Sequence, residues 1–195
     1  NDILFRNALT QEYNMSIAGG GDKSDYYTSV GYNDEQGNVK GVGNTRYNIT
    51  LKTNYQVNKL LKVGASIYAN ERKQTTYLTD SNGFTNPVYY SRLANPYFTP
   101  YDENGNYNYD TNVQGKEDSS LNFNIFEERA NSNTKRRDRS MMAILNAELR
   151  LTDYLKITSQ FGLQEDSYSL SKYANENTYA MRKEKLFTEY IGADG

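Results

Sequence analysis

Two adjacent carboxylates, Glu127 and Glu128, are the side chains best placed for acid–base chemistry in this 195-residue sequence. Glycoside hydrolysis needs two carboxyls facing each other across the scissile bond. Sequence neighbours point apart on a strand and sit about 100° apart on a helix, so this pair does not frame such a bond. Histidine and cysteine are both absent. That removes Ser-His-Asp and Cys-His nucleophiles, ordinary zinc sites and disulfide frameworks. The expectation is a protein that is not an enzyme and carries no cofactor.

Two loop features invite a binding role instead. The run Asp102-Glu103-Asn104-Gly105-Asn106 offers alternating oxygen ligands like a calcium loop. An EF-hand needs glycine at its sixth position and a bidentate glutamate at its twelfth, but here Gly105 is fourth and Val113 twelfth. A tight turn is the better account, and no metal site is expected. Upstream, Phe84, Tyr89, Tyr90, Arg92, Tyr97, Phe98 and Tyr101 gather between Pro87, Pro96 and Pro100. Flat rings beside amides suit a sugar or peptide surface, which makes these seven the candidate substrate-binding residues. The same rings also suit a small core that packs the loop onto itself, the commoner use of aromatics in long ordered loops.

The formal net charge is −2, and no basic stripe marks a nucleic-acid partner. Lys135, Arg136, Arg137 and Arg139 form a local basic cluster, read as a solvated loop and strand entry. No run approaches the ~18 apolar residues that a membrane-crossing helix requires. The 19 tyrosines, the absence of tryptophan and the abundance of Asn, Ser, Thr and Gly favour pleated strands with polar loops. Asn1 reads as a point inside a larger polypeptide.

Those side chains must be positioned by strands, because six segments alternate with period two. They lie near residues 11–19, 25–32, 45–57, 61–72, 140–151 and 155–168, with a long loop over 73–135. In the third, Tyr47, Ile49, Leu51, Thr53, Tyr55 and Val57 face one way. Arg46, Asn48, Thr50, Lys52, Asn54 and Gln56 face the other. Such a run is about the ~9–11 residues a tilted strand needs to cross a bilayer. Short turns join the first and second, third and fourth, and fifth and sixth strands, while longer loops over 33–44 and 73–135 make the other connections. In a meander this puts all tight turns at one end, the asymmetry of outer-membrane barrels. The expected fold is all-β: an antiparallel up-and-down transmembrane barrel, here an incomplete segment of about six strands in one domain over 1–195. Arg46, Asn48, Lys52, Asn54, Lys62, Arg72, Glu148 and Arg150 would then face the lumen. Tyr13, Tyr26, Tyr32, Tyr47, Tyr55 and Tyr154 would supply aromatic girdles.

Local motifs sharpen this. Asp2-Ile3-Leu4-Phe5-Arg6-Asn7-Ala8 followed by Gln11-Glu12-Tyr13-Asn14-Met15-Ser16-Ile17-Ala18-Gly19-Gly20 resembles the barrel entry of the SusC/RagA family of TonB-dependent outer-membrane transporters. Tyr26-Tyr27-Thr28-Ser29-Val30-Gly31-Tyr32 with Asp34-Glu35-Gln36-Gly37, and the Leu61-Lys62-Val63-Gly64 return, continue the resemblance. Asn95-Pro96-Tyr97 and Tyr101-Asp102-Glu103-Asn104-Gly105 are similar to its loop motif. The resemblance implies a plug-filled barrel in the outer membrane of Bacteroidetes, of which this chain is an early slice without plug or TonB box. It also implies import of oligosaccharides or peptides with a SusD-like surface lipoprotein, energised by TonB–ExbB–ExbD through a missing N-terminal region, with outer-membrane lipid around the barrel. The rival expectation is a soluble, cell-surface, carbohydrate-binding β-sandwich module. A structural or adhesive surface protein is a third.

Overall fold

The computed structural model describes residues 4–78, 85–109, 123–179 and 181–182. The chain builds strands β1 (Thr10–Gly20), β2 (Ser24–Gln36), β3 (Gly43–Gln56) and β4 (Leu61–Thr76), then helices α1 (Pro87–Leu93) and α2 (Ile125–Asn131), then β5 (Ser132–Thr152) and β6 (Leu155–Ala174). All six strands join one open sheet in the order β1-β2-β3-β4-β5-β6, each pair antiparallel. This is the up-and-down meander that the alternating segments and short turns call for. The described residues form one sheet, not the two packed layers of a sandwich, so the sandwich architecture is not met.

The strands run further than their alternation does. β5 begins at Ser132 and β6 ends at Ala174, whereas period two is legible from 140 and up to 168. The loop expected over 73–135 therefore shrinks to 77–131, and that expected over 33–44 to 37–42. The cause is hydration. Residues 132–139 are polar on both faces, so no apolar stripe marks a strand that the ladder from Thr76↔Thr134 to Arg72↔Asp138 nevertheless pairs. At ~3.3 Å per residue, β5 is about 70 Å long, well over twice the ~25 Å apolar band of a membrane barrel.

The buried core lies at the long-loop end of the sheet. Leu4, Tyr90, Phe123, Ile125 and Tyr179 form it, with Phe5, Ala94 and Phe126 packed alongside. Asn86 caps α1 by accepting the N–H groups of Val88 and Tyr89, and Pro87 fills the first turn. Asn124 does the same for α2 at Phe126 and Glu127 while donating to the carbonyls of Pro100 and Asn108. The N-terminal segment is clamped by Arg6, whose guanidinium donates to the Gly37 and Val42 carbonyls.

Candidate functional site: a two-faced sheet under an aromatic loop

Strand register places side chains in rows, and the rows sort the sheet into two faces. One row runs Ile17, Thr28, Leu51, Ile67, Ala143, Leu163; the next towards the loops runs Met15, Val30, Ile49, Ala69, Met141, Glu165. Most of these apolar side chains are open to solvent in the isolated sheet, Leu163 at 62%. Tyr13, Tyr32 and Tyr47 begin the row above, with ring centroids 6.3 and 5.2 Å apart.

The apolar belt is diagonal. Leu163, the apolar residue nearest the loop end on this face of β6 within the belt, shares a row with Ile17, the last apolar one on β1. Its upper edge thus descends two same-face rows, about 13 Å at ~3.3 Å per residue, while crossing five gaps of ~4.8 Å. The lower edge, from Ile17 to Leu155, descends four. A flat apolar slab crossed by strands tilted roughly 30–50° leaves this pattern, and membrane barrels tilt their strands ~35–45°.

The opposite face is mainly polar, with Tyr68, Met142 and Ile144 among its less polar side chains. Arg46 pairs with Arg72, Asn48 with Asn70, Lys52 with Ser66, Asn54 with Gly64 and Lys62 with Glu148, so Arg46, Asn48, Lys52, Asn54, Lys62, Arg72 and Glu148 share it. Arg150, opposite Lys156 beside the bulge at the short-turn end, continues the series. Charges are spread along this face. Glu148 pairs with Lys156 at 3.3 Å and Arg150 at 3.6 Å. Arg72 donates to Asn44, which donates to Glu35. Lys52 lies 5.4 Å above the Tyr68 ring. This is a hydrated wall with donors and acceptors of both signs.

The loop candidates divide. Tyr90 is 3% exposed and its ring meets Phe123 at 5.5 Å, so it belongs to the core. Tyr101 stacks near Tyr107 and Phe126. Tyr97 projects with 92% of its surface open, Tyr89 and Arg92 are exposed on α1, and Phe98 is half-buried. Phe84 lies outside the described residues. Tyr89, Arg92 and Tyr97 therefore remain as a surface that a ligand could touch. Glu127 and Glu128 are committed to structure. Glu127 accepts from the Tyr109 hydroxyl and pairs with Arg182 at 3.5 Å; Glu128, 2% exposed, accepts the Tyr179 N–H at 2.6 Å.

Asp102 organises the turn between Tyr101 and Tyr107. Its carboxylate accepts the Asn104 and Asn106 N–H groups and the Asn106 amide, and Gly105 takes φ 83°. The Asn106 side-chain bond, then its backbone bond, hold the Asp102 carboxyl below the usual carboxylate range. A lowered folded value means stabilisation present above the unfolded value of ~3.9 and lost as pH falls through the folded one. The Asn104 and Asn106 amide NMR shifts should therefore stay constant from neutral pH down to about 4 and move below it. In Asp102→Asn that acid transition should vanish.

A cluster that the alternation does not single out lies on the apolar face, above the belt. Glu71 pairs with Arg139 at 3.0 Å, Arg137 at 3.2 Å and Lys73 at 3.5 Å. The basic run read as loop and strand entry is thus part of β5. Lys135, Arg137 and Arg139 fall on the belt side, and Arg136 on the polar face with Asp138. The signal available in the sequence was the alternate spacing of those three cations.

No protein-family model matches the chain. Over 63 residues, 32% of its length, the chain is 36% identical to "TonB-dependent receptor P39" of Formosa agariphila. It spans about 6% of the length of that curated relative. The similarity supports a relationship with TonB-dependent receptors for a sheet whose one face carries a tilted apolar belt and whose other face is mainly polar.

Proposed function

We propose that this sheet is one wall of a transmembrane β-barrel in a TonB-dependent outer-membrane importer of the SusC/RagA kind. The observation that carries the reading is the diagonal belt: every strand contributes to it, at a slope matching tilted strands in a bilayer. The similarity to a TonB-dependent receptor supports the same reading. The polar face lines the path, and the remaining strands and a plug come from the rest of the polypeptide. Tyr89, Arg92 and Tyr97 lie at the outer mouth, where exposed rings suit oligosaccharide or peptide cargo. A SusD-like lipoprotein presents that cargo and TonB–ExbB–ExbD supplies the energy. No covalent step on the cargo is part of this mechanism.

The test is uptake in the native bacterium. Labelled oligosaccharides and peptides should enter wild-type cells, and entry should stop on deletion of the gene or collapse of the proton gradient. The protein should require detergent for extraction and migrate differently before and after boiling. Recovery in the aqueous fraction without detergent would contradict the reading.

A further inference from the structure

We propose that the outer face of β4–β6, above the apolar belt, binds the phosphorylated headgroup of a membrane lipid in the leaflet at the long-loop end. The inference rests on the membrane placement proposed above. Register lays out a three-by-three grid there. Its rows are Glu71–Arg139–Ser167, Lys73–Arg137–Ser169 and Thr75–Lys135–Ser171. Four cations and four hydroxyls therefore share one patch with Glu71, and the shallow groove across it is lined by basic, hydroxyl and amide side chains without a carboxylate.

Internal pairing does not exhaust this charge. Glu71 is shared by three of the cations, and among the described residues Lys135 has no ion pair. The nearest other acids on this face, Asp34 and Glu165, lie two strands away from Lys73 and one row below Glu71 respectively. Asp34 accepts from the Thr45 hydroxyl. A net positive patch is left, and phosphate oxygens are the partners that arginine forks, lysines and hydroxyls complete.

Position selects a lipid as the source. On β5 the cations stand directly above Met141, the first apolar residue of the belt on that strand. Lys73 also lies 5.2 Å over the ring of Tyr47, in the aromatic row at the belt's edge. A molecule with its phosphate at Arg137 and Lys135 has its chains beside Ile49, Ile67 and Met141, an interface continuous with the hydrocarbon belt. Basic residues at a membrane surface attract anionic headgroups in this way.

The test uses the complete protein in phosphatidylcholine vesicles carrying a minor fraction of either phosphatidic acid or diacylglycerol with the same chains. Wild type should enrich phosphatidic acid around itself and not diacylglycerol. The double variant Lys135→Gln/Arg137→Gln should lose about thirtyfold in apparent affinity. Lys135→Arg/Arg137→Lys should retain binding, and the charge-matched Lys23→Gln/Lys59→Gln in the short turns should behave as wild type. Competition by free inorganic phosphate at concentrations comparable to the lipid would assign the patch to a soluble anion and overturn the lipid site. Equal phosphatidic acid enrichment by a double variant that inserts normally would overturn it too. Failure of the wild-type protein to insert would overturn the membrane reading on which it rests.

Discussion

Leu51→Arg is expected to abolish membrane assembly, while Thr50→Arg, one residue away, is expected to assemble as wild type does. Leu51 sits in the middle of the belt on β3, between Thr28 and Ile67 in its row. A charge on the lipid face near the midplane costs ~2–4 kcal/mol. That is about a thirtyfold to thousandfold loss in the ratio of folded to unfolded protein. Thr50 pairs with Ser29 and Tyr68 on the polar face, where an arginine joins Arg46 and Lys52 in water. The amount of boiling-sensitive, folded protein in outer-membrane fractions reads both variants. Equal loss in the two would mean that the faces do not differ in solvent.

Phe123→Ala is expected to unfold the cap over the long-loop end without disturbing the strands. The ring is 1% exposed and stands 5.5 Å from Tyr90 and 5.3 Å from Tyr179, edge-on to the latter. Truncating a buried phenylalanine costs ~3–5 kcal/mol. Leu4, Tyr90, Ile125 and Tyr179, the rest of the buried cluster, would lose the ring they pack with. Limited proteolysis should cut within 85–109 far faster in Phe123→Ala, with the barrel's boiling-sensitive migration retained. Tyr97→Ala, at a side chain almost wholly open, should change cleavage little, since exposed positions usually stay within ~0.5 kcal/mol. Any loss of cargo binding in Tyr97→Ala would then report contact, not folding.

The face assignments were legible because alternation is a local property. Arg46 to Gln56 alternates, and register carries the same division across six strands without further information. The strand ends were not legible, because alternation marks a strand only where its two faces meet different solvents. Residues 132–139 are polar on both, so the start of β5 carries no alternation to set it apart from loop, and its pairing with Arg72–Thr76 marks it as strand. Both helices left weak traces: Asn86-Pro87 is a cap followed by proline, and Asn124 with Glu127 has capping-box spacing. Each is only seven residues long, too short for a periodic apolar stripe to emerge. Within the aromatic loop, composition could not separate Tyr90 from Tyr89. Which ring turns inward depends on Phe123 and Tyr179, far away in the chain.

Solvent access along β3 tests the lipid-facing assignment most directly. The sequence holds no cysteine, so single cysteines at each position from 46 to 56 can carry a spin label in the complete protein reconstituted in bilayers. Labels at 47, 49, 51, 53 and 55 should relax with dissolved oxygen, which concentrates in hydrocarbon, and those at 46, 48, 50, 52, 54 and 56 with a water-soluble nickel chelate. Accessibility without that two-residue period, or with its phase reversed, would contradict the account.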